Sequence, residues 1–208
     1  MRRTTGWLVS VAAAVVVVTG AVTYAVADGD SGPADLKVPA AESADAGFAR
    51  DMAVHHQQAV EMSYIVRDRT KDVEVRRLAY DIAQTQANQR GMLLGWLDLW
   101  ELPKVSEKPP MAWMGMANAP AGEDGALMPG MATNTQLAAL GKASGKQAEI
   151  MYLRLMIAHH KGGVHMAEGC VRRCAVGAEV RLARGMVASQ QSEIDLMTDM
   201  LKERGATV

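Results

Sequence analysis

Apolar positions recur at spacings of three and four along four long stretches of this chain, and no stretch shows the two-residue alternation of a strand. The first begins at Asp45, a candidate N-cap, and places Phe48, Met52, His55, Ala59 and Met62 on one face. The polar run from Arg67 to Asp72 predicts a turn. A second helix is predicted from about Val73 to Trp100, with Leu78, Ile82, Leu93 and Leu97 inward, and Pro103 stops it. Residues 103–133 carry five prolines and several glycines and form one long irregular segment. A short helix is predicted over Thr135–Leu140. Ser144, with Gln147 three residues later, has the pattern of a capping box. It opens a helix reaching about Arg172, and the last helix runs from about Ala178 to Glu203. The pattern predicts an all-α fold, an antiparallel four-helix bundle of two hairpins joined by a long crossover.

The two hairpins read as one unit written twice. Met52-Ala53-Val54-His55-His56 returns as Met156-Ile157-Ala158-His159-His160, an offset of 104 residues. The register persists on either side: Phe48 with Tyr152, Arg50 with Arg154, Met62 with Met166, Leu78-Ala79 with Leu182-Ala183, and Gln86 with Gln190. A constant offset over such a span is the mark of an internal repeat.

The repeated unit also carries the candidate chemistry. At about 100° per residue, Met52, His55, His56, Ala59 and Met62 fall within roughly a third of the helix circumference. Met156, His159, His160, Gly163 and Met166 do the same. Both faces are the apolar, inward ones, so four imidazoles and several thioethers are expected to meet near the axis relating the hairpins. Mixed imidazole and thioether donors favour copper, Cu(I) especially. Zinc prefers cysteine or carboxylate beside histidine, and neither Glu61 nor Glu168 begins the Glu-x-x-His motif of di-iron bundles. The competing reading is four core histidines with hydrogen-bond partners, for which Gln86 and Gln190 are the candidates. His165, about 120° from His159, is expected at the surface.

Phe48 to Met62 and Leu155 to Ala167, extended by Gln190 to Met197, resemble the bacterial domain of unknown function family 305 over about residues 45–204. The resemblance implies a ferritin-like four-helix bundle in the cell envelope. Some members are linked to copper binding and copper tolerance, and most have no assigned activity. The first copy departs from the second where Gln89, Arg90 and Gly91 replace Glu193, Ile194 and Asp195. A site that needs that carboxylate would exist only once.

The remaining features set compartment and auxiliary sites. Trp7 to Ala27 carries no charge, follows Arg2-Arg3 and ends in Ala25-Val26-Ala27. Residues 1–27 therefore fit a cleaved signal peptide or a retained membrane anchor equally, since a span needs roughly 20 apolar residues. Both place the rest outside the cytoplasm. Residues 28–44 read as a flexible stalk, and 45–208 as the bundle: hairpin one over 45–102, crossover 103–133, hairpin two 134–208. Removing Arg2 and Arg3 takes the formal charge from −1 to −3, which gives no case for nucleic acid. Methionine is abundant, 15 of 208. Met111, Met114, Met116, Met128 and Met131 in the crossover form a candidate auxiliary Cu(I) site, or an apolar loop packed on the bundle. Cys170 and Cys174 are spaced for a disulfide, with a thiolate metal site as the rival. The expected function is extracytoplasmic copper binding for sequestration or tolerance through His55, His56, His159 and His160 with Met52, Met62, Met156 and Met166. The alternative is a structural or interaction module with core histidines. No catalytic motif supports an enzyme.

Overall fold

The computed structural model describes residues 38–116 and 123–208, and no strand occurs among them. The predicted N-terminal apolar helix and most of the predicted stalk lie outside the described residues. Among these residues no helix is long and apolar enough to cross a membrane. The helices are α1 (Ala44–Arg69), α2 (Val73–Leu99), α3 (Asn134–Lys142), α4 (Gly145–Arg173) and α5 (Gly177–Glu203). α2 packs along α1, α5 packs along α4, and α1 crosses α4 at the centre. The long segment between α2 and α3 contains two short 3₁₀ turns, Ala112–Met114 and Glu123–Gly125.

The helix ends follow local chemistry, with two departures from the sequence reading. Ser43, not Asp45, caps α1 by accepting from the Ala46 amide at 3.1 Å. Asp45 sits inside the first turn because its carboxylate is engaged elsewhere, accepting the amides of Ala175 and Val176 at 2.9 and 2.7 Å. Ser144 precedes α4 but makes no side-chain cap. Gly145 has φ 53°, which takes the chain off the path a capping hydroxyl needs. The capping box belongs instead to Thr133 and Gln136 at the start of α3. Asp72 caps α2 through the Val75 amide. Gly205 closes α5 with φ 67°, a left-handed position suited to glycine, and Ala206 N–H returns to the Leu201 carbonyl.

Two apolar clusters fill the bundle on either side of its midpoint. One gathers Met62, Leu78, Ile82, Tyr152, Leu153, Met156, Met197 and Leu201. The other gathers Phe48, Met52, Leu93, Leu97, Met111, Met114, Met128, Met166 and Met186. Leu78, Ile82, Leu93 and Leu97 are all buried, as their spacing predicts. Arg204 closes the first end. Its guanidinium donates to Glu149 at 2.8 Å and pairs with Asp72 at 3.1 Å, while Thr70 donates to the other oxygen of Glu149 at 2.6 Å. At the opposite end Arg50 donates to the carbonyls of Pro103 and Ala41 at 2.7 Å each.

Helical glycines separate packing from propensity. A Cβ on Gly162 would collide with the Pro129 carbonyl, whereas one on Gly91 meets nothing within 4 Å. Gly91→Ala is expected to stabilise the fold by up to about 1 kcal/mol. Gly162→Ala is expected to destabilise it by about 1–3 kcal/mol through overpacking against backbone. Thermal unfolding followed by circular dichroism checks both signs.

Candidate metal centre

The repeated histidines lie where α1 crosses α4. Each helix carries its pair between residues of the two apolar clusters: Met52 and Met62 flank His55-His56, and Met156 and Met166 flank His159-His160. All eight of these side chains are fully buried. The rings of His55 and His159 stack with centroids 3.7 Å apart and planes inclined at 32°. Small residues lie around the pair. Ala59 is buried on α1, and on α4 Gly163 packs against the Gln190 side chain while Gly162 packs against Pro129.

Three of the four imidazoles use Nε2 as a hydrogen-bond donor. His159 donates to the His55 backbone carbonyl at 2.8 Å, His56 to Gln89 Oε1 at 2.8 Å, and His160 to Glu193 Oε2 at 2.6 Å. A neutral imidazole that donates from Nε2 keeps its lone pair on Nδ1. The Nδ1 atoms of His56, His159 and His160 are buried without a partner, and His55 has a partner at neither nitrogen. Such orphaned acceptors are rare in a settled core, and an oriented imidazole backed by an oxygen acceptor is the usual arrangement of a metal-ligating histidine. Burial, with the neighbouring imidazoles adding to it, holds His55 at about 3 and His159 well below the ordinary range. Burial also holds His56 at about 4, against a raising contribution from Gln89. These three rings are therefore neutral at pH 7, the form that binds metal.

The partners differ from those expected. Gln86 and Gln190 do not serve the imidazoles: both Gln86 side-chain atoms and Gln190 Oε1 lack hydrogen bonds. Gln89 and Glu193, one turn further along α2 and α5, do. Their spacing of 33 residues from the histidines they serve is the same in both halves. This shared offset follows from the 104-residue register of the repeat, in which Gln89 and Glu193 occupy matching positions. The geometry also limits the site. Among the described residues the histidines do not bring three ring nitrogens within 4.8 Å of one another.

The crossover closes over this centre. Asp51 accepts from the Met111 amide at 2.7 Å and from Trp113 Nε1 at 2.9 Å. Gln58 exchanges two hydrogen bonds with the Ala132 backbone, at 2.8 and 2.6 Å. These ties sit on either side of His55-His56. Met111, Met114 and Met128 are buried in the core beside Met52 and Met166, with Met116 and Met131 half-buried against it. This placement is that of an apolar loop packed on the bundle. His165 is exposed, and Cys170 and Cys174 form a disulfide with Cα atoms 4.8 Å apart.

A helical bundle with a buried, paired-histidine centre at its middle crossing is thus the class of protein the fold and site define. The chain belongs to the DUF305 family, a domain of unknown function, whose model matches residues 45–201. A DUF305 protein from Streptomyces coelicolor is 71% identical, with a TM-score of 0.76, covering 81% of this chain and 98% of that one. A DUF305 fragment from Deinococcus radiodurans is 30% identical, with a TM-score of 0.63, covering 77% and 96%. CopM in its Cu(I)-bound form shares the fold at 22% identity and a TM-score of 0.58, covering 76% and 96%. No curated protein matches the chain.

The buried imidazoles make stability depend on pH. An unfolded chain protonates His55, His56 and His159 near pH 6.5, whereas the folded chain holds them neutral to far lower pH. Below pH 6.5 the unfolded state thus binds more protons, and stability falls as pH falls, by up to about 1.4 kcal/mol per unit for each titrating histidine. Glu179 acts in the opposite sense. Burial, then Asp45, raises it to about 9, so its contribution grows as pH drops from 9 toward 4.5. The thermal midpoint is expected to peak near pH 6.5 and to decline on both sides. A midpoint that stays flat from pH 7 to pH 4.5 would contradict the neutral-histidine arrangement.

Proposed function

We propose that this chain is an extracytoplasmic, non-enzymatic copper-binding protein that sequesters the metal through His55, His56, His159 and His160, with Met52, Met62, Met156 and Met166 as thioether partners. One observation carries the reading: imidazoles oriented by Nε2 hydrogen bonds leave buried Nδ1 lone pairs with nothing to bind. The donor set of imidazole and thioether suits copper, and Cu(I) above Cu(II). Proteins of the same fold add support, since CopM has been obtained with Cu(I), Cu(II) and silver bound. The Streptomyces coelicolor relative is provisionally described as secreted, in keeping with the apolar N-terminus as signal or anchor. We read the helix pairs α1–α2 and α4–α5 as one hairpin repeated in a ferritin-like bundle. The equal spacing of His56 to Gln89 and His160 to Glu193 supports this.

A structural or interaction module is the second reading. It is favoured by the complete burial of the four imidazoles and by the absence of a three-nitrogen cluster among them. Anaerobic Cu(I) titration against a competing chelator separates the two. On the copper reading, replacing the four histidines by Ala lowers Cu(I) affinity at least tenfold, about 1.4 kcal/mol or more. Uptake retained in the variant would move the site to the Met111–Met131 crossover or the cysteines, and no uptake by either protein would favour the module, provided circular dichroism shows both to be helical.

A further inference from the structure

A second group of metal-ligating side chains lies away from the histidines, at the turn between α4 and α5. Cys170 is the last buried residue of α4, Cys174 is its C-cap and is half-buried, and Glu179 lies in the first turn of α5. The two Sγ atoms and a carboxylate oxygen of Glu179 all lie within 4.8 Å of one another. Among the described residues this is the one set of three Cys, His, Asp or Glu side chains so gathered.

Glu179 is the anomaly in this group. The residue is fully buried, and neither carboxyl oxygen accepts a hydrogen bond. A buried carboxyl without partners costs several kcal/mol if charged. Burial, then the adjacent Asp45, pushes it up to about 9, so it stands as a neutral acid. Asp45 lies beside it: one Asp45 oxygen accepts the Ala175 and Val176 amides, and a side-chain hydrogen bond to Asp45 favours the protonated form of Glu179.

We propose that Cys170, Cys174 and Glu179 form a redox-gated site for a thiophilic divalent cation of the zinc class, closed when the cysteines are joined and open when they are free. Two thiolates and a carboxylate oxygen are a zinc-type donor set, whereas Cu(I) is satisfied by the sulfurs alone. A tetrahedral cation with bonds of about 2.0–2.3 Å holds its ligands roughly 3.3–3.8 Å apart, and the three donor atoms already lie within 4.8 Å of one another. Cysteines four apart at a helix end meet on one face, and Cys174 N–H stays bonded to the Cys170 carbonyl at 2.8 Å as the helix's last turn. The ligands are therefore placed by backbone, not by the disulfide.

Opening the site consumes a dithiol. Its thiolate attacks the half-buried Cys174 sulfur, the Sγ–Sγ bond breaks, and Cys170 leaves and takes a proton. The second thiol of the reductant then displaces Cys174, so the reductant ends as a disulfide and both cysteines as thiols. Cation binding afterwards releases the two thiol protons and the Glu179 proton. The positive end of α5, which has no side-chain cap, lies beside the ligands and favours the negative charge that remains.

The test is Zn(II) titration of the full chain against a chromophoric chelator, with the protein oxidised and after reduction by a phosphine. Histidine binding is common to both states and cancels. The reduced chain is expected to bind one equivalent more than the oxidised chain. Cys174→Ser abolishes that equivalent, and Glu179→Gln weakens it at least tenfold without changing the oxidised titration. Equal uptake in the two redox states, an extra equivalent that Glu179→Gln leaves at full affinity, or loss of helicity on reduction overturns the proposal. The outcome is independent of the copper reading, which involves none of these residues.

Discussion

The close crossing of α1 and α4 is the constraint on which the rest of the structure depends. The His55 carbonyl already lies within a helix, yet it accepts a second hydrogen bond from His159 across the interface. A carbonyl has two lone pairs, and here the second is taken by a side chain of the facing helix. Ala59 is small and buried on α1, while on α4 Gly162 lies against the Pro129 carbonyl of the crossover and Gly163 against the Gln190 side chain of α5. Glycine within a helix costs about 1 kcal/mol relative to alanine, and these two contacts are what exclude a larger side chain there. The bond also breaks the symmetry of the repeat. His159 finds a partner and His55, its counterpart, finds none.

The periphery is arranged to hold that crossing shut. Asp51 and Gln58 pin the crossover segment to α1 on both sides of the histidines, and the Pro129–Gly130 backbone rests on Gly162 and the Ala158 carbonyl. Trp113 stacks edge-on against Phe48 with centroids 5.8 Å apart and covers Gly47. Arg204, bound to Glu149 and Asp72, joins the start of α4, the start of α2 and the end of α5. Such a buried ion pair contributes little net stability, but it fixes the register of three elements. The imidazoles at the midpoint are thereby buried and held at set angles.

Much of the fold was legible in the sequence because helical periodicity and the 104-residue repeat are local or regular signals. Those signals also placed His55, His56, His159 and His160 inward. What escaped depended on contacts distant in sequence. Asp45 has every attribute of an N-cap, but its carboxylate is claimed by amides 130 residues away, so Ser43 takes the role. Gln86 and Gln190 lie at matching repeat positions and looked like the imidazole partners. The rings lean one turn further, to Gln89 and Glu193, because side-chain direction along a helix decides contact as much as spacing does. The spacing of the crossover methionines leaves open an auxiliary site or an apolar loop, and the structure buries Met111, Met114 and Met128 in the core. The grouping of Glu179 with the cysteines carries no sequence motif at all.

The unlike partners of the two histidine pairs have an electrostatic consequence. His56 donates to a neutral amide and His160 to a carboxylate. His160 is fully buried, while the Glu193 side chain is 24% exposed. On the copper reading proposed above, a cation in this buried interior would be expensive without an anion nearby. The Glu193 carboxyl behind His160 would then offset that charge better than the Gln89 amide behind His56, as outer-shell carboxylates do for ligating imidazoles. The change from amide to carboxyl leaves the hydrogen bond in place, so the electrostatics of the two pairs can differ while their packing stays alike.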